Sequence, residues 1–106
     1  MKPVVLLVGK LPGVVGRLAD ELDDLPIRWL GAHDHGEVVH QLEKEPGIAC
    51  VIMGAGLDDE IRGDLVGVIA AIRPDVSIHL KDRSSGSGGM ARFVRRVVTA
   101  MILNDV

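Results

Sequence analysis

The sequence predicts a three-layer α/β domain: an open parallel sheet of four strands, in the order 2-1-3-4, with helices on both faces. Three observations carry this expectation. Continuous apolar runs at 3–8 and 48–53 suit strands that are covered on both sides. Each strand-like run gives way to helical periodicity, and the alternation repeats four times within 106 residues, the length of one domain. Short loops and right-handed crossovers then make the strands parallel. The simplest such arrangement puts the first and third strands side by side at the centre.

The elements follow in order. Residues 3–8, PVVLLV, form the first strand and end at Gly9. Leu11, Val14, Val15, Leu18, Leu22 and Leu25 recur at helical spacing, with Pro12 suited to the first turn. Arg17, Asp20, Glu21 and Asp24 take the opposite face. Residues 27–32, IRWLGA, form a second strand, and Arg28 places it at an edge. Asp34 opens the next helix, with Glu37 three residues on in a capping-box-like pattern. Val38, Val39 and Leu42 supply its buried side, and Pro46-Gly47 ends it.

The third strand is 48–53, IACVIM, ending at Gly54-Ala55-Gly56. Asp58 is the expected N-cap of the third helix, and Ile61, Leu65, Val68, Ile69 and Ile72 its apolar stripe. Arg73-Pro74 stops it, because the residue before proline avoids helical angles. Residues 76–80, VSIHL, form the fourth strand. A Gly/Ser loop follows, then a helix from about Met90. Met90, Phe93, Val94, Val97, Val98, Met101 and Ile102 lie on one side of that helix, and Arg92, Arg95 and Arg96 on the other.

Composition narrows the function. One Phe, one Trp and no Tyr leave an aliphatic core and few groups on which nucleobases could stack. A net charge of −3 argues against nucleic acid as a partner. The charge is uneven: residues 1–80 carry 7 Lys/Arg against 13 Asp/Glu, and residues 81–106 carry 5 against 2. If the last helix returns to the face of the first, its arginines meet Asp20, Glu21 and Asp24, and the basic tail needs no partner. The single Cys50 reads as a small buried hydrophobe. No apolar run approaches the ~18 residues of a membrane span, and the N-terminus shows no signal-peptide pattern. A reducing cytoplasm and no membrane contact are therefore expected.

Residues 4–22, VVLLVGKLPGVVGRLADEL, together with the overall alternation, resemble the flavodoxin-like receiver domain of two-component response regulators. The likeness covers most of the chain and is one of pattern. The resemblance implies two acidic residues after the first strand, to hold Mg²⁺, and a phosphorylated Asp at the end of the third. This sequence has Gly9 and Lys10 in the first places and Gly54 in the second. It also has four strands where a receiver has five. The resemblance therefore implies a degenerate receiver without the oxygen cage that a hard cation needs and without a phosphoacceptor.

Four groups of residues are candidate sites. Gly9, Lys10, Gly13 and Gly16 fall in a strand-to-helix turn of spacing G-x-x-x-G-x-x-G, which is not the dinucleotide fingerprint. Such a turn can bring a phosphate to backbone N–H groups, although tight turning and close helix–sheet packing account for the same glycines. His33, His35 and His40 offer zinc ligands without a well-spaced fourth, and Asp34 already serves as a cap. His79 reads as a partly buried histidine and not a catalytic base.

The stretch HLKDRSSGSGG is the fourth. Lys81, Arg83 and Ser84, with Ser85 and Ser87 behind them, leave the carboxyl edge of the sheet beside Gly9, Lys10 and Gly54. These residues form an anion cradle on one reading and a tether on the other, since Gly/Ser runs make flexible linkers.

Two functions follow as expectations. The first is a non-catalytic receiver-like interaction module, a homodimer held by the fourth strand's edge and the apolar C-terminal MILNDV, and not phosphorylated. The second is a small anion- or nucleotide-binding domain using Gly9, Lys10, Gly13, Gly54, Lys81, Arg83 and Ser84. Neither requires a cofactor or metal, and no nucleophile or general base is placed for catalysis.

Overall fold

Val4–Val8 forms strand β1, and all five of its side chains are buried. A strand without an exposed face must lie inside a sheet covered on both sides. In the computed structural model β1 pairs in parallel with β2 (Arg28–Ala32) on one side and β3 (Ile48–Met53) on the other, and β4 (Ser77–Leu80) pairs with β3. The order is β2-β1-β3-β4, as the sequence predicts. Helices α1 (Val14–Glu21), α2 (His35–Lys44), α3 (Asp59–Ile72) and α4 (Met90–Asn104) complete four βα units. This is the flavodoxin-like order, with four strands among the described residues. The structure describes residues 2–10, 13–84 and 89–104, the last two by backbone alone.

The sheet separates two cores. Val4, Leu6 and Val8 of β1 face α2 and α3, where Val38, Leu42, Leu65 and Ile69 meet them. Val5 and Leu7 face α1 and α4, against Leu18, Leu22, Val94 and Val98. In β3 the register slips between Val4 and Val5, so that Val4 opposes Ile48 while Val5 opposes Cys50. That bulge lets Ile48 and Val51, three residues apart, share one face.

Helix ends follow the side chains at hand. Asp34 caps α2, its carboxylate accepting from Glu37 N–H at 2.8 Å, and Asp58 caps α3 through Ile61 N–H at 2.9 Å. The reciprocal half of the expected capping box is missing. The Glu37 carboxylate turns instead to His33 Nδ1, at 3.2 Å. Helix α1 begins later than the periodicity predicts. Gly13 is its N-cap, at φ 88, a left-handed angle that favours glycine. Leu11 and Pro12, expected in its first turn, lie outside the described residues.

The α3 stripe also differs from expectation. Leu65 and Ile69 are buried, but Ile61 and Ile72 are 44 % and 37 % exposed. Arg62 takes the inward place, with its Nη2 donating to the Lys81 carbonyl at 2.8 Å. A guanidinium can go inward here because a buried carbonyl waits for it. The inward side of α4 is as expected. Arg95 reaches back across that face to Asp24 in a two-pronged pair at 2.8 and 3.0 Å. That pair holds the Asp24 carboxyl below the usual carboxylate range.

Candidate functional site

Parallel strands all end on one side, so the segments after Val8, Met53 and Leu80 meet at one edge of the sheet. The first backbone donor of each is already engaged. Gly9 N–H donates to Ala32 C=O at 3.1 Å, Gly54 N–H to Val8 C=O at 2.9 Å, and Lys81 N–H to Met53 C=O at 2.9 Å. Each loop thus begins by extending the parallel ladder. The glycine N–H groups expected to cradle a phosphate serve the sheet instead.

Two of the three cations are also engaged. Lys81 is 2 % exposed, and its Nζ donates to the Asp82 carbonyl at 2.8 Å and the Asp82 carboxylate at 3.1 Å. Arg83 donates to the Asp59 carboxylate at 2.6 Å and to Leu57 C=O at 2.7 Å, tying the segment after β4 to the start of α3. Ser84 donates to the other Asp82 oxygen at 2.7 Å. Residues 81–84 are therefore a hydrogen-bonded turn. Ser85, Gly86, Ser87 and Gly88 lie outside the described residues. Lys10 is different: it is exposed, with no hydrogen bond or ion pair among the described residues.

Between these segments lies a cleft of about 460 Å³. It gathers five of the seven residues named from the sequence: Gly9, Lys10, Gly54, Lys81 and Arg83. Gly13 and Ser84 do not line it. Its walls are Leu7, Val14, Val15, Leu18 and Met90, residues that the sequence pattern assigns to the core. The site is a largely apolar slot with a basic rim, unlike the polar cradle that one of the two sequence readings offered. The signal for it in the sequence was Val14-Val15 immediately behind the Gly13 turn, opposite the glycines of the β3–α3 connection.

The other candidates sit elsewhere. His33 and His35 line an adjoining hollow beside Asp58 and Asp64, which shares Lys10 and Gly56 with the cleft. Among the described residues no three His, Cys, Asp or Glu come together as metal ligands. His79 is half-buried on β4 and bonds the Ser77 hydroxyl at 3.1 Å, and burial lowers its pKa. Cys50 is wholly buried, and burial pushes its thiol up to about 11, so it is no nucleophile. Among the described residues no helix is long and apolar enough to cross a membrane.

Comparison of the chain with family models, curated proteins and solved structures gives no match.

Proposed function

We propose that this chain is a non-catalytic, receiver-like interaction module that self-associates and does not take up a phosphoryl group. The observation that carries this reading is chemical. Gly9 and Lys10 follow β1, and Gly54 ends β3, where phosphoryl chemistry on such a sheet would need carboxylates. The cleft between them is walled by aliphatic side chains. Two of its three cations, Lys81 and Arg83, are tied to Asp82 and Asp59. Among the described residues no nucleophile with a neighbouring base lines it, and binding is the chemistry these side chains support best.

Self-association is supported by β4. Among the described residues it pairs with β3 alone, and its end carries Leu80 at 45 % exposure. Exposed strand edges tend to be covered or paired. Helix α4 gives no such support, because its apolar side is used against the chain's own sheet. Of MILNDV, Met101 and Ile102 pack on that core, and Asp105 and Val106 lie outside the described residues.

The test is incubation with Mg²⁺ and acetyl phosphate, followed by intact-mass measurement. No phosphoryl adduct is expected. A stable, acid-labile adduct would overturn the reading.

A further inference from the structure

We infer that the cleft at the carboxyl ends of β1 and β3 binds a small amphipathic anion, with its apolar body between α1 and the start of α4 and its single acidic group at Lys10. This adds a ligand to the interaction module and fails on different measurements from those above.

The first observation concerns the glycines at the mouth. None of Gly9, Gly54 and Gly56 has the positive φ that would demand glycine; Gly13 does. Nor does packing demand it. A Cβ on Gly9 would meet nothing within 4 Å, one on Gly54 would come no closer than 3.6 Å to Val8 O, and one on Gly56 would lie 3.9 Å from Lys10 Cβ. What three absent side chains leave at this edge is open space, and that space is the cleft.

The second observation is the wall. Leu7, Val14, Val15, Leu18 and Met90 face the slot, and its volume of about 460 Å³ falls within the roughly 300–1,000 Å³ of small-molecule pockets. An aliphatic chain gains by leaving water there. A free phosphate would not, since the nearby N–H groups of Gly9, Gly54 and Lys81 are bonded within the sheet.

The third is the charge. Lys81 and Arg83 already have carboxylate partners. Lys10 is on the rim, exposed, and has no partner among the described residues. One uncommitted ammonium beside an apolar slot matches one carboxylate on an apolar tail. It matches a polyanion poorly.

The experiment uses the whole chain with octanoate, 1-octanol and inorganic phosphate as probes, read by calorimetry and by amide chemical shifts. Octanoate should bind, raise the melting temperature by mass action, and shift the amides of Gly9, Lys10 and Gly54. Octanol should bind about fivefold more weakly, the ratio expected from one solvated ion pair. Phosphate should not bind. Gly9→Leu should fill the mouth, and Val14→Trp the opposite wall; each should abolish octanoate binding while melting stays cooperative. Lys10→Gln should reduce octanoate to the octanol level.

Several results would overturn the proposal. These are no octanoate response, a phosphate response of equal strength, shifts confined to other parts of the fold, or binding that survives both filling variants. Conversion of a dimer to monomers by octanoate would assign the cleft to a side chain of a second copy, and would also overturn it.

Discussion

At the scale of single residues, Gly31 carries more structure than its place in a short strand suggests. A Cβ built there would lie 2.9 Å from Val15 Cγ1 and 3.1 Å from Val15 Cβ. Val15 is β-branched and stiff, so it cannot swing aside freely. Gly31→Ala should therefore destabilise by about 1–3 kcal/mol, the usual cost of overpacking. Val15→Ala in the same chain should recover part of that loss, and urea unfolding of the four variants gives the coupling directly. None of this was visible in IRWLGA, because the clash partner lies 16 residues away across the β2–α1 contact. Burial of Cys50, by contrast, was legible from its apolar neighbours. Its thiol pKa is raised from 9.0 to about 11. The unfolded thiol ionises first, so the contribution is complete below pH 9 and is lost as pH rises from 9 towards 11. The loss amounts to about 3 kcal/mol at most. Stability measured across that range should fall more steeply for the parent than for Cys50→Ala, and parallel slopes would refute this account.

At the scale of elements, the two aspartate caps were read correctly because both partners are close in sequence, although the Glu37 half of the capping box was not. Asp34 and Asp58 each bond an N–H three residues on, and Asp-x-x pairs of that kind are written in the chain. Removing either cap, as in Asp58→Ala, should cost about 1 kcal/mol by thermal or urea unfolding. The α3 stripe was misread for the opposite reason. Ile61 and Ile72 fit the helical period as well as their neighbours do, and nothing nearby says that Arg62 turns inward. Its partner, the Lys81 carbonyl, is 19 residues distant and exists only once β4 is in place. Arg62→Ala should thus remove the hydrogen bond its guanidinium donates to the Lys81 carbonyl, together with the packing of its buried stem, at a cost of about 1–3 kcal/mol. A loss well under that range would mean water replaces the guanidinium.

At the scale of the whole molecule, strand order and layering were legible because they follow from alternation, short connections and handedness. The cleft was legible only in location. Its polarity depends on which N–H groups the ladder uses and which carboxylates reach Lys81 and Arg83, and both are fixed by register and tertiary contact. The basic tail was resolved only in part: Arg95 meets Asp24 as the charge asymmetry suggested, and Arg83 meets Asp59, while Arg92 and Arg96 make no ion pair among the described residues. The open sheet edge is a feature suited to a second copy. In β4 only one flank is paired, and a two-fold axis through His79 would set two β4 strands antiparallel. Ile78 would then lie opposite the partner's Leu80. An apolar pair of this kind favours strand pairing by about 0.2–1 kcal/mol, and a closed two-fold dimer leaves neither β4 edge open. Light scattering at micromolar to submillimolar concentration should give about twice the monomer mass of 11.3 kDa. Leu80→Lys should return the mass to that of a monomer. Because Leu80 is 45 % exposed in the single chain, that variant should melt at nearly the temperature of the isolated monomer. A parent chain that stays monomeric throughout the range, or a Leu80→Lys variant that still doubles, would remove β4 as the contact.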